Sequence, residues 1–87
     1  MAQVWLPRSL IALFPGAPRR LSAAGSTVAE VVEALDIQVP GLADRVLTAG
    51  PAIREHINVF VDGERADLGT AVAEDATVHI IPAVSGG

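Results

Sequence analysis

The groups in this chain best placed to do chemistry stand at its end. The sequence finishes Pro82-Ala83-Val84-Ser85-Gly86-Gly87, running from an apolar stretch straight into two glycines. A diglycine end has no reactive side chain, yet without Cβ atoms it adopts nearly any backbone conformation and passes through a channel too narrow for other residues. The working group of such an end is the terminal carboxylate of Gly87, offered to another protein's active site. Gly86, Ser85 and Val84 form the thread behind it. A frayed terminus is the competing reading, because small residues are common at chain ends.

The other polar groups signal less. His56 and His79 have no supporting cluster at ligand spacing, so no metal site is assigned and surface or strand-edge positions account for them. Asp62, Glu64, Asp67, Glu74 and Asp75 crowd into turns, where Asp and Gly are favoured for backbone reasons. Docking to a basic partner is the lesser alternative for that cluster. No catalytic residue is assigned.

Cys is absent, which removes disulfides, thiolate catalysis, iron–sulfur clusters and cysteine zinc sites together. Any sulfur chemistry here must use borrowed sulfur. The six positive residues are Arg8, Arg19, Arg20, Arg45, Arg54 and Arg65, so there is no Lys and no side-chain amine to accept an isopeptide bond. They are scattered through a chain of net charge −4 and isoelectric point near 4.9. That distribution argues against a nucleic-acid partner.

The elements that position the tail come from a chain of 87 residues, enough for one domain. It is 51% hydrophobic but only 3% aromatic, so its core must be built from Val, Leu, Ile and Ala. No apolar run reaches the length that spans a bilayer, and the N-terminus lacks a basic segment followed by an apolar stretch. The expected setting is the cytoplasm, with no membrane partner.

Ala2, Val4 and Leu6 alternate with Gln3 and Trp5, which predicts a strand over residues 2–7. The apolar segment 10–14 lacks clean alternation and reads as a continuation or a loop. Pro15-Gly16-Ala17-Pro18 breaks the chain, and 19–24 returns as a weak strand with Leu21 inward. Thr27 and Glu30 form a capping-box pair ahead of Val28, Val31, Val32 and Leu35, predicting a helix over 27–36 that relies on burying this stripe. Leu42, Val46 and Leu47 suggest a short second helix or a loop.

Ile57, Val59 and Val61 alternate with Asn58 and Phe60 and run into Asp62-Gly63, a tight-hairpin dipeptide, with a return arm near 64–66. Residues 67–75 read as a turn or short helical piece in which Leu68 and Val72 plug a core edge. The last strand, 77–82, puts Val78 and Ile80 on one face and His79 and Ile81 on the other. A flexible tail follows at about 83–87, completing a single domain over 1–87.

Two hairpin-like units with a helix across one face of a mixed sheet make an α+β chain of the β-grasp, or ubiquitin-like, arrangement. The stretch Ile57-Asn58-Val59-Phe60-Val61-Asp62-Gly63, followed by Asp75-Ala76-Thr77-Val78-His79-Ile80-Ile81-Pro82-Ala83-Val84-Ser85-Gly86-Gly87, resembles the MoaD/ThiS family of sulfur carriers. Val4-Trp5-Leu6-Pro7 and the ending from Ile80 are most similar to the actinobacterial carriers of cysteine synthesis within it.

The resemblance implies a non-enzyme whose Gly87 carboxylate is adenylated by an E1-like enzyme and converted to a thiocarboxylate. That group donates sulfur to an accepting synthase, with cysteine or secondary-metabolite sulfur favoured. It implies no bound cofactor, ATP and Mg²⁺ belonging to the partner, and a monomer when free. Ferredoxins of this fold type need four cysteines, which are missing. A lysine-targeting protein modifier and a non-catalytic interaction module remain as alternatives. Strand alternation also sets Trp5, Phe60 and Ile81 opposite the helix-covered core, where together they would form a docking patch. Loops from 8–14 or 40–52 folding over them is the alternative.

Overall fold

Strand β1 (Ala2–Trp5) opens the chain and buries Ala2 and Val4. The computed structural model describes residues 1–83, so Val84, Ser85, Gly86 and Gly87, and with them most of the expected flexible tail, lie outside the described residues. β1 stops short of residue 7 because Pro7 caps a helical turn, α1 (Arg8–Ile11), its carbonyl accepting from Leu10 and Ile11 N–H at 3.1 and 3.2 Å. The apolar segment 10–14, expected as a continuation of the strand or a loop, is therefore helical at its start. Its Leu10 is buried in the core. Strand β2 (Arg20–Ala23) returns antiparallel with Val4 opposite Leu21.

Helix α2 (Val28–Gln38) starts on Thr27, whose Oγ1 accepts from Glu30 N–H at 3.3 Å. The reciprocal bond reaches one residue further back than a capping box, Glu30 Oε1 accepting from Ser26 N–H at 2.7 Å. The remaining N-terminal amides find carbonyls in the 67–72 loop: Val28 N–H donates to Thr70 O and Ala29 N–H to Leu68 O. A helix's first amides have no partners of their own, so this loop completes the helix rather than merely connecting strands. It contains no helical piece, but Val72 is buried and Leu68 packs on the core as expected.

After Pro40, Gly41 (φ +95°) turns the chain into α3 (Leu42–Val46). Asp36 of α2 links the two helices, its Oδ1 accepting from Gly41 and Ala43 N–H at 3.1 and 2.9 Å. A small hairpin follows, β3 (Leu47–Thr48) with β4 (Ala52–Ile53), which two-residue strands hid from any periodicity reading. β5 (Ile57–Val61) and β6 (Glu64–Ala66) are joined by Asp62 (φ 49°) and Gly63 (φ 86°), the pair of positive φ angles that a type I′ turn requires. Asp62 Oδ1 accepts from Thr77 N–H at 2.9 Å, fastening this turn to the start of β7 (Thr77–Pro82).

The five main strands form a mixed sheet in the order β2-β1-β7-β5-β6. β7 lies at its centre, parallel to β1 and antiparallel to β5. Val4, Val59, Val78 and Ile80 meet Val28, Val31, Val32 and Leu35 of α2 in one core that includes Leu42 and Val46. All its fully buried members are Ala, Val, Leu or Ile, each aliphatic side chain contributing about 1.5–3 kcal/mol where it is larger than Ala. Among the described residues no polar side chain is buried.

Candidate functional site

Strand β7 has two outputs. Its inward residues Val78 and Ile80 hold it in the core, while Thr77, His79 and Ile81 project from the face that no helix covers. Beyond Pro82, which stands opposite Ile57, Ala83 N–H donates to His56 O at 2.8 Å. The paired backbone thus extends one residue into the stretch expected to be free tail. The central strand and this bond fix the position of Ala83, the last described residue.

The pairing register places five side chains in one line across the open face. Arg20 stands opposite Trp5, Trp5 opposite His79, His79 opposite Phe60, and Phe60 opposite Arg65. The Trp5 and His79 rings lie 7° from parallel with centroids 6.3 Å apart, and the Arg20 guanidinium carbon is 5.5 Å from the Trp5 centroid. Both are favourable contacts for an exposed aromatic ring.

Trp5 is 36% exposed, Ile81 42%, and Phe60 is half-buried. The three residues do share the open face, but Trp5 and Phe60 are separated by His79 and Ile81 faces Asn58. The patch is therefore an aromatic line with a histidine at its middle and Ile81 diagonal to Phe60, a separation of about 7–8 Å in an antiparallel pair. Trp5 and Ile81 also border a groove of about 430 Å³ that includes Arg8 and Arg19. Leu10, Leu42 and Val46, from the segments that could have covered the patch, belong to the core on the opposite side, while Arg8 borders the groove without covering Trp5 or Ile81.

Sequence reasoning missed the part played by His79, Arg20 and Arg65. The alternation of β7 already put His79 on the face of Ile81, but only the register across four strand pairs brings the two arginines into line with it. His56 stands at the other end of the molecule's logic, using its backbone carbonyl to receive Ala83. Among the described residues no group of three or more His, Asp or Glu could hold a metal ion, and no helix is long and apolar enough to cross a membrane.

A five-stranded mixed sheet with a helix across one face and a central last strand is the ubiquitin-like β-grasp fold. The ThiS family model matches residues 12–87, and the chain belongs to that family. It is similar to the sulfur carrier protein CysO of Mycobacterium tuberculosis, 31% identical over 78 residues covering 83% of this chain and 84% of that one. It is 39% identical to small archaeal modifier protein 1 of Haloferax volcanii over 62 residues, 71% of each chain. A chain in the crystal structure of the Amycolatopsis orientalis BexX/CysO complex superposes with a TM-score of 0.89 at 27% identity, each chain covered completely.

Proposed function

We propose that this chain is a sulfur carrier whose Gly87 carboxylate is adenylated by an E1-like activating enzyme and then converted to a thiocarboxylate. One observation carries the reading: β7 connects an open aromatic face to a diglycine end in a chain of the ThiS family that has no Cys and no Lys. A carboxylate is ionised at neutral pH and is a poor electrophile. Forming the mixed anhydride with AMP releases pyrophosphate and installs a good leaving group. Hydrosulfide then attacks the acyl carbon, AMP departs, and the thiocarboxylate remains.

In this reading Trp5, Phe60 and Ile81 dock on the enzyme, while Val84, Ser85 and Gly86 thread toward its nucleotide. ATP and Mg²⁺ belong to that enzyme's site, and the chain supplies no catalytic group. The charged carrier, acting in the cytoplasm, donates sulfur to an accepting synthase, with cysteine or secondary-metabolite sulfur favoured. The similarity to CysO and to a BexX/CysO complex supports both the carrier role and a protein partner.

The similarity to small archaeal modifier protein 1 favours one second reading, conjugation of Gly87 to a lysine of another protein. Mass spectrometry separates the two. With activating enzyme, ATP, Mg²⁺ and sulfide, the carrier gains the mass of one oxygen exchanged for sulfur, localised to Gly87 and alkylated by iodoacetamide. The untreated chain, having no Cys, shows no thiol alkylation. An amide to a lysine of another protein as the main product would replace the carrier reading with the modifier one.

A further inference from the structure

The open face is set apart from the rest of the molecule by charge. The chain has ten Asp and Glu side chains and a net charge of −4. None of the ten occupies an outward position of the five-stranded sheet: by register those positions are Arg20 and Ser22, Gln3 and Trp5, Thr77, His79 and Ile81, Asn58 and Phe60, and Arg65. Glu64 pairs with Val61 on the helix side, Asp62 is turned back onto Thr77 N–H, and Asp67, just past β6 beside Asn58 and Arg65, accepts from Gly69 N–H and the Thr70 hydroxyl through Oδ1. The row of strand positions therefore ends in an arginine on each side, the Arg20 guanidinium lying over the edge of the aromatic centre 5.5 Å from the Trp5 centroid. Four strand spacings of about 4.8 Å separate those ends by about 19 Å.

We propose that this face recognises a protein surface with an apolar centre flanked by carboxylates at two points, and that the same arginines keep it from closing on a second copy of itself. Naming that partner as the activating enzyme rests on the function proposed above. The exclusion of a second copy follows from symmetry. Two copies facing each other across a twofold axis can stack their rows in two ways. With the axis along the strands, Arg20 meets Arg65 at both ends. With the axis along the row, each Arg meets its own counterpart. Like charges across an apolar contact disfavour association, whereas opposed carboxylates would both attract at a distance and fix the register. An apolar face that self-associated would hide the surface on which delivery of the tail depends.

Two measurements test this. The first compares wild type, R20E/R65E and R20K/R65K as substrates in enzyme-catalysed, ATP-dependent pyrophosphate release, with circular-dichroism melts showing that each variant is folded. Charge reversal raises KM about 10- to 100-fold at low salt and leaves kcat within about twofold. The gap narrows to about threefold near 0.5 M NaCl, where the charges are screened. R20K/R65K keeps the charge and stays close to wild type. A reversed variant with wild-type KM at low salt, or an equal rise at both salt concentrations, overturns the charge proposal while leaving the carrier reading intact.

The second measurement is sedimentation equilibrium of wild type, R20E/R65E and an equimolar mixture. Each alone places like charges together, whereas the mixture opposes Arg to Glu at both ends, so only the mixture associates and salt dissolves it. Indistinguishable behaviour of all three samples overturns the proposed charge exclusion. This experiment needs no enzyme, so it decides the charge exclusion even if the wild-type chain is not adenylated, the result that would remove the carrier reading instead.

Discussion

Val59 and Phe60 are neighbours in β5 with opposite surroundings, and replacing each with Asp should separate stability from docking. Val59 is 1% exposed and belongs to the core, whereas Phe60 is half-buried on the open face between His79 and Arg65. A domain of this size is stable by about 4–13 kcal/mol, from about 0.05–0.15 kcal/mol per residue. Val59→Asp forfeits about 1.5–3 kcal/mol of apolar burial and adds several kcal/mol for an unpaired carboxylate in the core, enough to remove the folded state. Phe60→Asp loses strand preference worth up to about 1 kcal/mol and two cross-strand contacts of about 0.2–1 kcal/mol each. The new carboxylate regains part of this from its cationic neighbour. A net loss of about 1–2 kcal/mol lowers Tm by about 4–16 °C and leaves the protein folded at 25 °C. Circular-dichroism melts report the stability, and pyrophosphate release with the activating enzyme reports docking, expected to fall at least about tenfold in kcat/KM. Unfolding by Phe60→Asp would make Phe60 a core residue and defeat the assignment of faces. A folded variant that is activated normally would place docking elsewhere.

Two further substitutions probe devices that hold α2 in position. Gly25→Ala places a Cβ 2.8 Å from Val31 N and 2.9 Å from Glu30 Cβ at a backbone φ of +153°, so it should destabilise by about 2 kcal/mol or more in a urea titration; an unchanged midpoint would show that the turn into α2 shifts freely. Asp36→Ala removes the acceptor shared by Gly41 and Ala43 N–H and should lose about 1–2 kcal/mol, while Asp36→Asn, which keeps an acceptor oxygen, should lose less. Equal effects of the two would assign the loss to charge rather than to the capping contact.

The strands with a full alternation are legible in the sequence. Val59 and Ile80, opposite each other in the sheet, and the stripe Val28, Val31, Val32 and Leu35 all occupy the core side their spacing assigned. What alternation cannot encode is which strand lies beside which. That is why alternation places Trp5, Phe60, His79 and Ile81 on one face, yet neither the position of His79 between Trp5 and Phe60 nor the flanking Arg20 and Arg65 can be read from it. The hairpin at 47–53 could not be read because two-residue strands offer no period, so Leu47, grouped with Leu42 and Val46 as a short helix or loop, stands in β3 instead; the loop at 67–75 concealed its role because its contribution to α2 is made by carbonyls, which no side-chain pattern reports.

The position of β7 also limits what a partner must do. Its neighbours on both sides and the Ala83–His56 backbone bond fix Ala83 relative to the aromatic row. In the proposed function four residues separate Ala83 from the reacting carboxylate, and four residues span at most about 14 Å. An enzyme that binds the open face must therefore hold its nucleotide within that distance of Ala83, so docking and activation are geometrically one event. One residue added after Gly87 moves the carboxylate by up to about 3.6 Å, further than a misplacement of 1 Å that can already slow a positioned reaction a hundredfold. The extended chain should still bind competitively through its face, because Trp5, Phe60 and Ile81 are untouched, yet gain no sulfur. Thiolation at its new terminus would mean that the tail, and not the sheet, sets the alignment.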